Sequence, residues 1–128
     1  MGEPVKHLRD LKERTREFAL RIIRLYVALP KRSEAQVIGK QVLRSGTAVG
    51  ANYREGVRAR SKSEYATKLN VALMELEETL YWLELLEGAR IISPPGLADL
   101  KAESGELSAI FVTLIKQAKG TGSSPAKP

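Results

Sequence analysis

The chain has 128 residues, 43% of them hydrophobic and 28% charged, with 21 basic side chains against 15 acidic ones and a net charge of +6. A chain of that length supports one domain that hides about two-thirds of its unfolded surface, so a core can form without staples. The absence of cysteine excludes disulfides, thiolate metal sites and a cysteine nucleophile. With no membrane-length apolar run and no visible signal peptide, a cytoplasmic protein is expected.

Helix one is predicted over about 4–29, where Leu8, Leu11, Thr15, Phe18, Ile22, Leu25 and Leu29 recur in steps of three and four until Pro30 ends the pattern. Arg9, Lys12 and Arg16 flank one side of this seam and Arg14 with Arg21 the other, while Asp10, Glu13 and Glu17 line its back. Helix two, about 33–60, opens on Ser33-Glu-Ala-Gln36, the pattern of a capping box, and continues through Ile38, Val42, Val49, Tyr53 and Val57. A second capping-box pattern, Ser61-Lys-Ser-Glu64, separates it from helix three, which is what prevents the two from reading as one long rod.

Helix three, about 62–88, carries Leu69, Leu73, Leu76, Leu80, Leu83 and Leu86 on one side, with Val71, Met74, Tyr81, Trp82 and Leu85 beside them. That surface is wider than one seam needs, which predicts a central helix or one that touches a partner subunit. Ser93-Pro-Pro-Gly96 breaks the chain, and helix four follows over about 94–119 through Leu97, Leu100, Leu107, Ile110, Phe111, Leu114 and Ala118. Within it Gly105 is unfavourable by about 1 kcal/mol relative to alanine. Residues 120–128, GTGSSPAKP, are expected to be a disordered tail. No strand-like alternation competes, so the expected fold is all-α: an antiparallel up-down four-helix bundle over residues 1–119, with helices about 35 Å long.

Helix two holds three glycines, Gly39, Gly46 and Gly50, on the flank of its apolar stripe. They do not form a phosphate loop, because Gly46 and Gly50 are four apart, no lysine follows and no strand precedes. Small residues at this spacing instead let two helix backbones approach closely. Their propensity cost of about 2–3 kcal/mol must be offset by tertiary contacts. The opposite side of the same helix carries Lys40, Arg44, Thr47, Ala51, Arg54 and Arg58, with Arg60 and Lys62 extending the charge into the turn. Solvated helix faces usually mix signs, and this stripe contains no acid. Two roles fit it: an ordinary exposed face, or a track of cations that neutralises phosphates, to which Arg14 and Arg21 on helix one could contribute.

Charge is uneven along the chain, with fifteen basic and six acidic residues in 1–62 but two and six in 63–90. This suits either a polyanion or an acidic protein surface, another copy of the chain included. No enzyme is expected. The single histidine, His7, sits at the start of helix one, and neither Glu75 with Glu78 nor Glu84 with Glu87 has the imidazole of a bundle metal site, so no metal or other cofactor is expected. Tyr53, Tyr65, Tyr81 and Trp82 could stack on bases, although aromatic residues on an apolar stripe are more commonly core.

Residues 43–86, LRSGTAVGANYREGVRARSKSEYATKLNVALMELEETLYWLELL, closely resemble the core of a four-helix-bundle family first noted as proteins encoded in intervening sequences of bacterial 23S ribosomal RNA genes, often labelled S23. The same family includes the accessory variability determinant of diversity-generating retroelements. The resemblance runs from helix one to Lys119 and implies a non-enzymatic, cytoplasmic bundle that assembles as a ring-like homopentamer. For the retroelement branch it further implies a basic surface that binds RNA or DNA and a partnership with a reverse transcriptase. Arg44, Arg54, Arg58, Arg60 and Lys62 match basic positions of the family, and Asn52 and Glu55 fit structural or intersubunit contacts. The alternative is a protein-interaction scaffold of the same family with no direct nucleic-acid role.

Overall fold

Each of the four apolar periods builds a helix: α1 spans Glu3–Ala28, α2 Ser33–Val57, α3 Lys62–Gly88 and α4 Pro94–Lys119, with no strand among the described residues. The computed structural model describes residues 3–120, with side chains from residue 11 onward. The side chains of His7, Leu8, Arg9 and Asp10 therefore lie outside the described residues, as does the expected tail apart from Gly120.

Contacts between helices fix an antiparallel order. On α2, Gly39, Gly46 and Gly50 face Tyr26, Ile22 and Thr15 of α1 in turn, so the two helices run in opposite directions. Ser45 and Thr79 share a buried hydroxyl hydrogen bond of 2.7 Å between α2 and α3, while Gly56 lies against Tyr65 and Lys68. Lys101 of α4 pairs with Glu87 of α3 at 2.8 Å. The principal packing is α1 on α2, α2 on α3 and α3 on α4, and the seam between α1 and α4 is the sparsest.

The core is one cluster drawn from all four helices, built on Leu11, Phe18 and Ile22, on Val42 and Val49, on Leu69, Leu76 and Leu83, and on Leu107 and Phe111. Tyr53 reaches across it to Phe111, the rings meeting edge-on with centroids 5.9 Å apart. The wide apolar surface of α3 is explained in part by its packing against both α2 and α4. The remainder is solvent-facing: Met74 is 56% exposed and Tyr81 52%. Val57, an expected seam position of helix two, is 57% exposed because α2 ends there.

Four helix ends depart from simple expectation in informative ways. α2 stops at Val57 rather than near residue 60, leaving Arg58 as its C-cap. Ser33 does not cap α2; Arg32 occupies that position, and Gln36 instead donates to Pro30 O at 2.9 Å and accepts from the Tyr26 hydroxyl at 3.2 Å, closing the α1–α2 turn. Ser61 does cap α3, accepting from Glu64 N at 3.0 Å, but the Glu64 carboxylate returns to Arg60 N, one residue earlier than a capping box requires. At the end of α3, Arg90 takes a left-handed conformation (φ 61°), and the bonds from Arg90 N to Glu87 O and from Ile91 N to Leu86 O close a Schellman motif in which arginine stands where glycine is usual.

Candidate nucleic-acid interface

Lys40, Arg44, Ala51, Arg54 and Arg58 are exposed along the outer face of α2, and Thr47, half-buried, turns its hydroxyl back to Leu43 O at 2.8 Å. Close packing of the glycine flank produces this arrangement by turning the cationic side outward. A Cβ on Gly46 would lie 2.8 Å from Ile22 Cγ1 and one on Gly50 3.0 Å from Thr15 Oγ1, while one on Gly39 would overlap Leu29 Cδ1.

The stripe is free of acid in sequence but not in space. Arg44 leans toward α3, where its guanidinium pairs with Glu75 at 3.3 Å and, more closely, with Glu78, whose carboxylate also accepts from Trp82 Nε1 at 3.1 Å. Glu75 and Glu78 are thus cation-pairing residues, and Arg44 is a tie between helices with its charge already compensated. Glu55, on the same edge of α2, pairs with Lys68 at 2.7 Å, which raises the lysine pKa through that hydrogen bond.

Arg14 is likewise occupied. Its Nε and Nη2 donate to the two oxygens of Glu103 at 3.0 and 2.8 Å, and Nη2 also reaches Glu106 at 2.9 Å. The hydrogen bond to Glu103 is the main reason its pKa lies above the usual arginine value. This fork spans the sparse α1–α4 seam, so Arg14 holds the bundle together. Arg21, half-buried on the same flank, has no ion pair among the described residues.

What remains after these pairings is charge concentrated at one end. The half of the bundle that contains the α2–α3 turn (residues 11–15, 46–75 and 107–120) carries nine basic and four acidic side chains, whereas the other described half (16–45 and 76–106) carries nine of each. Arg54, Arg58, Arg60 and Lys62 cluster there with no ion-pair partner among the described residues, joined by Lys12 of α1 and Lys119 of α4. Lys40 lies in the balanced half. Lys119 carries no signal in the sequence, because only the antiparallel fold brings the last turn of α4 beside the first turn of α3. Among the described residues no group of histidine and carboxylate side chains could hold a metal ion. Of the aromatic residues considered for stacking, Tyr53 is core, Tyr65 is half-buried and Tyr81 lies exposed against Trp82, their centroids 5.1 Å apart.

Comparison with known proteins agrees with this architecture. The family model described as 23S rRNA-intervening sequence protein matches residues 9–113. The crystal structure of a protein of unknown function from the S23 ribosomal protein family of Bacteroides thetaiotaomicron is similar with a TM-score of 0.79 at 40% identity, covering 83% of this chain and 98% of that one. No curated protein matches the chain. No helix among the described residues is long and apolar enough to cross a membrane.

Proposed function

The chain belongs to the 23S rRNA-intervening sequence protein family, and from that premise we propose that it is a non-enzymatic, cytoplasmic, homo-oligomeric protein that binds RNA or DNA at the basic end of its bundle. The observation that carries this reading is the cluster of Arg54, Arg58, Arg60 and Lys62, none of them ion-paired among the described residues, at the end of the molecule where the net positive charge collects. Guanidinium groups match phosphate oxygens in geometry, and cations from α1, α2, the turn, α3 and α4 present a field that no single helix face could provide. Arg14 and Arg44 are left out of the binding set because their carboxylate partners already satisfy them.

Exposed Met74 and Tyr81 on α3, with half-buried Trp82 and Leu85 beside them, support self-association. Five copies, and a reverse transcriptase as partner, rest on the resemblance alone. The same apolar strip favours a second reading, a scaffold that engages proteins without touching nucleic acid. Fluorescence anisotropy with labelled RNA and DNA, together with the mass of the assembly, separates the two. For a nucleic-acid binder, Arg54→Glu/Arg58→Glu abolishes nucleic-acid retention and leaves the oligomer intact. For a scaffold whose basic face docks protein, the same change breaks the oligomer or partner capture, and nucleic acid is never retained above background.

A further inference from the structure

The structure points to a phosphate-end pocket beside the basic turn, and we propose that it receives the terminal phosphomonoester of a nucleic-acid strand. A cleft of about 420 Å³ opens laterally where the first two turns of α3 pass the last turn of α4. Its polar lining is Lys62, Ser63, Thr67, Asn70 and Lys119, and no carboxylate of the described residues enters it. Buried Ala66 and half-buried Ala118 complete the lining with small side chains. Among the described residues neither lysine has an ion-pair partner, and the Ser63 and Thr67 hydroxyls make no hydrogen bond. The nearest acid in sequence, Glu64, directs its carboxylate to Arg60 N.

Chemistry of the lining selects the ligand. Two ammonium groups and two hydroxyls, with an Asn70 amide whose only bond among the described residues is a long 3.9 Å contact to Met74 Sδ, amount to a donor-rich, anion-poor wall. An internal phosphodiester offers one charge and two free oxygens. A terminal phosphomonoester offers about −1.5 to −2 charge near neutrality and three strong acceptor oxygens, which this wall can satisfy together. Lys62, which lines the cleft, follows Arg58 and Arg60 in the α2–α3 turn, so a strand held by those arginines can place its end there. This assignment rests on the nucleic-acid-binding reading above and specifies which part of the strand the protein distinguishes.

The test compares single-stranded oligonucleotides of one sequence bearing a 5′-phosphate, a 3′-phosphate or hydroxyls at both ends, titrated against the full chain. A phosphorylated end is expected to tighten binding about tenfold, the scale of one charge-assisted hydrogen bond; the arm showing the gain identifies which end is read. Thr67→Val and Ala118→Leu leave the net charge unchanged, so each is expected to erase that preference while preserving the affinity for the hydroxyl-ended strand. Inorganic phosphate is expected to compete only with the phosphorylated strand. If all three strands bind equally, the pocket assignment is overturned and the nucleic-acid-binding reading survives. If none binds, both fall.

Discussion

At the residue scale, the cations of this protein divide into those that tie helices together and those with no ion-pair partner among the described residues, and sequence spacing does not separate the two groups. Arg14 and Arg44 occupy surface-like helix positions indistinguishable in pattern from Arg21 and Arg54. Only when α4 supplies Glu103 and α3 supplies Glu75 and Glu78 does the difference appear. Arg14→Ala leaves the partly buried Glu103 carboxylate without its fork, and it should lower stability by about 1–2 kcal/mol in urea denaturation, more than an exposed pair contributes. Salt should diminish that loss only partly. Tyrosine burial gives a second expectation at this scale. Burial raises the Tyr53 and Tyr65 phenols above their ordinary value of 10.0, so the unfolded chain ionises first as pH rises. Stability is therefore fully retained below pH 10 and falls as pH climbs from there through the folded-state values. Denaturation midpoints measured across that range should decline less steeply for Tyr53→Phe.

At the element scale, the four helices and most of their faces were readable from period and punctuation alone, since steps of three and four with Pro30 and Ser93-Pro-Pro mark where each begins or stops. The ends were less readable because they depend on atoms far away in sequence. Gln36 has the spacing for a capping box, yet Tyr26 and Pro30 of the preceding segment claim its amide. Arg90 terminates α3 in a conformation that sequence rules reserve for glycine, even though Gly88 stands two residues earlier. The glycines of α2 and α4 look alike in composition and differ in surroundings. Gly46→Ala drives a methyl into Ile22 and should cost about 1–3 kcal/mol in thermal unfolding, whereas Gly105 has nothing within 4 Å of its would-be Cβ, so Gly105→Ala should stabilise by up to about 1 kcal/mol. Opposite signs for the same substitution would show that the α2 glycines are packing residues.

At the scale of the whole molecule, the decisive property is polarity along the bundle axis. Sequence segments gave an uneven charge distribution, but folding changes its meaning, because antiparallel helices bring Lys12, Arg54 to Lys62 and Lys119 to one end while the acids of α3 and α4 neutralise the other. The position of the candidate site was thus half readable: the arginines around the α2–α3 turn could be identified, the contribution of α4 could not. Its central claim can be tested by two charge-matched variants. Arg54→Ala/Arg58→Ala removes two cations from the basic end, and Arg24→Ala/Lys31→Ala removes two exposed cations from the balanced half. Measured as the slope of log affinity against log salt for a single-stranded RNA, between about 50 and 200 mM, the first pair should flatten the slope by about 1.4 units and the second by a small fraction of that. Equal slopes in the two variants, or a larger change from Arg24 and Lys31, would contradict the assignment of nucleic-acid binding to this end of the bundle.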